Sequence, residues 1–326
     1  MSISPQLVPG SFVEQTVAIF SSREDLQTLL RTIEATKHAV KCAQACVDVV
    51  VNGNRTLADA LRVALEAPSA PESDTTGRTL RVWFVTMGDK AHAWNEYTRR
   101  IWPRSQLAFF VDGMARPHAG AFEAIASGVA GNTEAWGATA VPTHGMSARS
   151  MRKMLRTEGG IMGNLYAVRG DTLQQLVDSG FGLPRGIYRT DPLLAAALCF
   201  SLDPANNTWN PKRIHVEWAA SWDYDALKWW RVGDLLTHFR RVQRQQQGVL
   251  ETAAIKQWLA VEKKSPFALP ETAAELVSSW MARHADDANK LLTGHAGCRK
   301  ALDSLLAPRD WSAISIAPLM LGQQNF

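Results

Sequence analysis

Leu107-Ala108-Phe109-Phe110-Val111-Asp112-Gly113-Met114-Ala115-Arg116-Pro117 decides how this chain is read. Its five leading apolar residues have the length and composition of a buried strand. The strand ends in a lone carboxylate followed by glycine. An acid at such an edge either faces a cleft, where it holds a metal ion or a polar substrate, or begins an ordinary strand-to-turn corner. The residues on either side weigh between the two.

Residues 16–20 (TVAIF) read as a first strand, and Leu26, Leu29, Leu30 and Ile33 give the next segment one apolar helical face. Residues 47–51 (VDVVV) form a second strand, stopped by Asn52-Gly53-Asn54, and residues 57–66 return to helical spacing. Residues 67–78 combine Pro, Ser, Asp, Thr and Gly and read as a surface loop. Residues 80–86 (LRVWFVT) are a third strand, with a helix expected over 91–101 and another over 118–129. Strand and helix therefore alternate around residues 107–111, which predicts an α/β fold with a mostly parallel sheet covered on both faces. Ligands of such sheets collect at the carboxyl ends of the strands. Glu24, Asn52, Asn54, Lys90 and Asp112 all fall at or just past those ends.

The middle of the chain is less regular. Strands are expected over 135–141, 165–168 and 214–217, a short basic helix over 150–156, and a glycine-rich turn at Gly159-Gly160-Ile161-Met162-Gly163-Asn164. Asp171 can cap a helix over 172–179, and Pro192 suits the first turn of a helix that runs through Leu198. From about residue 225 the pattern is helix after helix, with segments at 250–262, 271–284 and 286–306. The expected organisation is an α/β domain over 1–247 and a helical C-terminal extension over 248–326.

Bulk properties narrow the function class. A chain of 326 residues with 46% hydrophobic and 20% charged residues can build a sizeable core, in one large domain or two ordinary ones. The net charge of +4 is mild, and basic residues do not gather in aromatic-laced stripes, so no nucleic-acid partner is expected. Of twelve tryptophans, Trp209, Trp218, Trp222, Trp229 and Trp230 lie close together in sequence, which suggests a stacking surface, an acceptor cleft or a membrane-facing patch. Cys42 and Cys46, four apart, would share a helical face, and no nearby His or Cys pair completes a zinc set. Buried thiols in a reducing compartment are the simpler reading. The first residues, MSISPQLVPGSF, lack a basic segment followed by an apolar core, and no apolar run reaches the roughly 18 residues of a membrane span. A cytoplasmic protein is expected, with peripheral membrane contact compatible with that location.

Taken in order, these motifs resemble the family 2 nucleotide-sugar glycosyltransferases, which have a GT-A fold. The family opens on a strand with an Asn-Glu pair, matched here by VAIFSSRED with Glu24 as the acid and Arg23 in place of Asn. Its second strand ends in an acid, where this chain has Asn52. Its Gly-Lys-x-x-Ala-x-Asn pattern is similar, with a spacing shift, to Gly88-Asp89-Lys90-Ala91-His92-Ala93-Trp94-Asn95. Its Asp-x-Asp signature corresponds to Asp112-Gly113-Met114, its glycine-rich acceptor loop to residues 159–164, and its Glu-Asp pair to Thr190-Asp191. The processive members' tryptophan-ended basic motif has no full counterpart, although His238-Phe-Arg-Arg-Val-Gln-Arg244 stands in a comparable place. The likeness spans residues 15–245.

The resemblance implies a sugar transferred from a nucleotide-diphosphate donor to a hydroxyl of a sugar, glycan or lipid-linked acceptor. It implies inversion and assistance by Mn²⁺ or Mg²⁺. Glu24 and Asn52 would contact base or ribose, since an amide both donates and accepts, and Asn52 is equally suited to the turn before Gly53. Lys90 would meet the diphosphate or stand as a solvated lysine at a helix start. Asp112 would bind the metal; Met114 offers no hard oxygen ligand, and His238 is the candidate third ligand or a surface histidine. Asp191 would act as general base or as a helix cap before Pro192. Gly160, with Gly159 and Gly163, would touch donor sugar or acceptor, or form a plain turn. Arg240 and Arg244 share a helical face suited to an anion, or solvate a helix end.

Two other classes stay open at this point. The replaced acids at Asn52 and Met114 suit a non-catalytic domain that binds nucleotide sugar or acts as a scaffold. A nucleotidyltransferase also uses an α/β sheet and a metal-binding Asp, but the Ser21-Ser22-Arg23-Glu24 corner lacks its glycine-rich loop.

Overall fold

A computed structural model describes residues 13–66, 77–143, 148–225, 232–295 and 297–326, with side chains given outside 232–241. The first half follows the expected alternation: β1 (Val13–Ser21), α1 (Leu26–Ala39), β2 (Ala45–Asn52), α2 (Arg55–Glu66), β3 (Thr79–Val85), α3 (Lys90–Glu96) and β4 (Ser105–Asp112). β1 pairs in parallel with both β2 and β4, and β2 with β3. Every residue of β2 is buried, as befits a central strand covered on both faces. Asp25 starts α1 by accepting a hydrogen bond from the Thr28 amide, and the helix lays Leu29, Ile33 and Ala39 on the sheet. α3 runs on into a wide turn, Tyr97–Ile101, whose Tyr97 is fully buried.

Beyond β4 the order is β5 (Arg116–Pro117), α4 (Ala121–Ala130), β6 (Gly137–Pro142), α5 (Ala148–Thr157), β7 (Leu165–Arg169), α6 (Gly170–Asp178), α7 (Thr190–Cys199) and β8 (Ile214–Asp223). Then come α8 (Val232–Lys256), α9 (Ala273–Arg283), α10 (Ala285–Gly294), α11 (Cys298–Leu306) and β9 (Leu319–Asn325). The nine strands form one sheet in the order β5-β8-β6-β7-β4-β1-β2-β3-β9.

The sheet is mixed rather than mostly parallel. β7 is antiparallel to both β4 and β6, β8 to β5, and β9 to β3, while β6 and β8 are parallel. Apolar runs mark strands but carry no direction, so the parallel rule that holds through β4 does not extend past it. The end of the chain is not helical throughout, because β9 comes back to cover the exposed edge of β3. Position 247 lies within α8, which runs unbroken across it, and Leu250, Ala254, Trp258 and Leu259 share a buried cluster with Trp94, Phe110 and Leu193.

The shared helical face expected for Cys42 and Cys46 does not form: Cys42 lies in the connection after α1 and Cys46 in β2. All four thiols are free. The tryptophan group is also dispersed in role. Trp222 is buried, Trp209 packs edge-on against Phe200, and Trp218 lies under the Arg156 guanidinium; Trp229 and Trp230 fall outside the described residues. No helix among the described residues is long and apolar enough to cross a membrane.

Candidate functional site

The chain leaves β1 for β2 on one side and later inserts β4 on the other. The carboxyl ends of β1 and β4 are therefore the point where strand order reverses, the place where sheets of this kind hold their ligands in a crevice. Asp112 stands at that point, opposite Phe20 in register. Its successor Gly113 donates its amide to the Phe20 carbonyl at 2.7 Å. A β-carbon on Gly113 would come within 2.8 Å of Ser21 Cβ, so only glycine permits this closure. The Asp112 amide donates to the Asn164 carbonyl, which brings the glycine-rich turn alongside.

Lys90 arrives from the first residue of α3. Asp89 caps that helix through the His92 amide at 2.8 Å, which fixes where the lysine starts. Lys90 Nζ lies 2.5 Å from Asp112 Oδ1 and 4.0 Å from Asp191 Oδ1. Burial disfavours the lysine's charge, but Asp112 and Asp191 outweigh it, so Lys90 holds its proton more tightly than a free lysine. Burial lifts the Asp112 carboxyl above its usual range; Lys90 opposes that shift, and Asp191 and Glu24 add to it. The ground beneath is aromatic: Phe110 stacks on Tyr166 at 4.8 Å and on Trp94 at 6.0 Å. Such a floor excludes water from one side and strengthens the charges above it.

Asp191 lies in the first turn of α7, where its Oδ1 accepts from the Thr190 hydroxyl at 2.8 Å. Gly163 approaches this carboxylate closely, and a β-carbon there would sit 2.2 Å from Oδ2. The segment just before Asp191 is held by a residue the sequence did not flag. Glu251, fully buried on α8, accepts from the Tyr188 amide at 3.0 Å and the Arg189 amide at 2.8 Å. Gln247 Nε2 donates to it at 2.7 Å. Burial pushes the Glu251 carboxyl up to about 7 against these donors. Its one sequence signal is an acid inside an apolar helical run, Gly248-Val-Leu-Glu251-Thr-Ala-Ala-Ile.

The other expected residues fall around this centre. Glu24 Oε2 accepts from the Ser21 hydroxyl and from the Ser22 and Arg23 amides, which shapes the β1–α1 corner. Asn52 is buried and donates to the Ser21 carbonyl at 3.0 Å, so it supports that same corner from β2. Asn95 exchanges two hydrogen bonds with the Leu183 backbone and pins the loop leading to Asp191. Gly160 has φ of +112°, a conformation glycine adopts freely. Arg244, from α8, and Arg23 line one cleft of about 360 Å³ with Gln243 and Gln247. The His238 side chain, like those of Arg240 and Arg241, lies outside the described residues.

No protein-family model matches the chain, and no curated protein matches it significantly. Solved structures do. S. aureus TarS 1-349 in complex with UDP-GlcNAc is 12% identical with a TM-score of 0.51, over 90% of this chain and 80% of that one. This chain shares its fold. The mannosyltransferase PcManGT from Pyrobaculum calidifontis, in complex with GDP-Man and Mn²⁺, aligns over 90% of this chain and 85% of its own, at 16% identity and a TM-score of 0.49.

Within this fold the expected metal can be tested against the donor set. Mg²⁺ and Mn²⁺ take hard oxygen ligands. Asp112 supplies a carboxylate, but its Oδ1 is already bound by Lys90. Met114, where a second acid would help, offers a soft thioether and is 44% exposed. Among the described residues no three His, Cys, Asp or Glu side chains are grouped to hold an ion. The described residues do not fit a resident divalent cation.

Proposed function

We propose that this chain is a glycosyltransferase of GT-A type, similar to family 2, which moves a sugar from a nucleotide-diphosphate donor to an acceptor hydroxyl with inversion. The observation that carries the proposal is the meeting of Asp112, Lys90 and Asp191 at the β1/β4 reversal point, in a fold shared with a UDP-GlcNAc-bound structure.

Each residue has a role that its position supports. Asp191 removes the proton from the acceptor hydroxyl as that oxygen attacks the anomeric carbon. The bond from that carbon to the diphosphate oxygen breaks, and the nucleoside diphosphate leaves. Lys90 meets the charge that develops on the leaving phosphate, in a crevice floored by Phe110, Trp94 and Tyr166. Arg23 and Arg244, which line one cleft, attract the anionic donor. Glu24 contacts the base or ribose, and Asn52 acts through the corner that carries Glu24. The turn at Gly160 offers backbone to the donor sugar or acceptor. The acceptor class remains a sugar, a glycan or a lipid-linked saccharide, reached in the cytoplasm or at a membrane surface.

Incubation with a panel of UDP- and GDP-sugars, followed by assay of released nucleoside diphosphate, tests the proposal. Release with at least one donor is expected. A folded sample that neither binds nor consumes any donor overturns it. Met114 in place of the second acid favours a second reading, a non-catalytic nucleotide-sugar scaffold. Wild-type turnover that disappears in Asp191→Asn rules that reading out, because losing a general base costs about a hundredfold or more.

A further inference from the structure

The acids at the crevice have a built-in counter-ion. Lys90 Nζ sits 2.5 Å from Asp112 Oδ1 and 4.0 Å from Asp191 Oδ1, and the charge of Glu24 also acts on it. These acids would otherwise repel each other and an incoming diphosphate. A divalent ion is one means of joining acids to phosphates, but here Met114 removes an oxygen ligand and Lys90 occupies the remaining carboxylate. The lysine does not float into this place: Asp89 fixes the helix start that carries it, and Asp89 in turn receives the Gly186 amide and Arg309. Two further cations, Arg23, which precedes Glu24, and Arg244, line a cleft of their own.

Resting on the donor-site reading above, we propose that the Lys90 ammonium takes the place of a divalent cation, so that the protein binds a nucleoside diphosphate, and releases it in transfer, without metal. In the free protein Lys90 neutralises Asp112. When donor enters, its flexible stem lets the ammonium reach a phosphate oxygen while it keeps the Asp112 carboxylate. A compact charge with three donors can hold both at once. No electron transfer or covalent step on the lysine is involved; it offers hydrogen bonds and charge to the departing diphosphate.

The test is calorimetric titration of UDP and of GDP into the full-length protein, once in EDTA and once in excess Mn²⁺. At least one nucleotide should bind in EDTA, with an affinity within about threefold of that in Mn²⁺, a gap well under the tenfold that 1.4 kcal/mol represents. Lys90→Ala, shown folded by its thermal transition, should lose about ten- to a hundredfold of the EDTA affinity, the scale of a charge-assisted hydrogen bond. Lys90→Arg should retain much of it. Wild-type binding that appears only with Mn²⁺ overturns the metal-free proposal while leaving the donor site standing. Binding by Lys90→Ala equal to wild type in EDTA overturns the role of Lys90. Absence of binding in both conditions overturns the donor-site reading itself, and the proposal with it.

Discussion

Gly163 packs against the Asp191 carboxylate so tightly that a β-carbon on it would lie 2.2 Å from Oδ2 and 2.4 Å from Oδ1. The backbone there is not in a left-handed conformation, so the glycine answers to space and not to φ. Gly163→Ala should therefore fold and bind nucleotide as wild type does, while pushing Asp191 off the line to the acceptor that its proposed role as base requires. A displacement of about 1 Å costs on the order of a hundredfold in rate. The expected result is a large fall in kcat with unchanged nucleotide affinity. Equal loss of both would show that Gly163 serves the donor and not the base.

Glu251 makes a pH prediction whose sign follows from its burial. Its carboxyl sits near 7 in the folded chain, against an ordinary value of 4.5. The folded state thus binds the proton more tightly than the unfolded state. The stability linked to this group is fully present below about pH 4.5 and is lost as pH rises towards 7. The span corresponds to a difference on the order of 3 kcal/mol. Glu251→Gln keeps an acceptor for Tyr188 and Arg189 and gives up the Gln247 bond at every pH, since Gln247 Nε2 also holds the Gly186 carbonyl. Urea midpoints measured across this range should show the variant gaining on wild type as pH rises. A constant difference between the two would contradict the assignment.

The Asp48–Arg81 pair is a matter of stability alone. Asp48 is fully buried in β2 and accepts from Arg81 Nε at 2.7 Å, Arg81 Nη2 at 2.9 Å and Trp83 Nε1 at 2.9 Å. Removing the guanidinium leaves a buried carboxylate without its charge partner. Arg81→Met should destabilise the fold by about 3–5 kcal/mol. Denaturant unfolding checks this, and a loss below about 1 kcal/mol would place the pair with weak surface bridges instead.

The strands through β4 were legible because parallel strands buried on both faces write themselves as apolar runs, as in Leu107-Ala108-Phe109-Phe110-Val111. The direction of later strands was not, since Leu165–Arg169 looks the same whichever way it pairs. β9 escaped notice because its residues are largely exposed and its apolar half is only three residues long, Leu319-Met320-Leu321. Lys90, Asp112 and Asp191 could be named from strand ends and motif order, and the fold brings them together. Asn52 could be placed at its strand end, but its bond to Ser21 could not be foreseen. Glu251 was out of reach, because a lone helical acid is ordinarily solvated and only the docking of residues 188–189 onto α8 reveals its partners.

Everything proposed for this chain turns on a nucleoside diphosphate binding beside Asp112. The most direct measurement is a crystal structure of the protein soaked with UDP and, separately, with GDP. Diphosphate density is expected within hydrogen-bonding reach of Lys90, beside Glu24, Asp112 and Asp191. Nucleotide bound elsewhere on the protein, or an ordered Lys90–Asp112 pair with no nucleotide at saturating concentration, would contradict it.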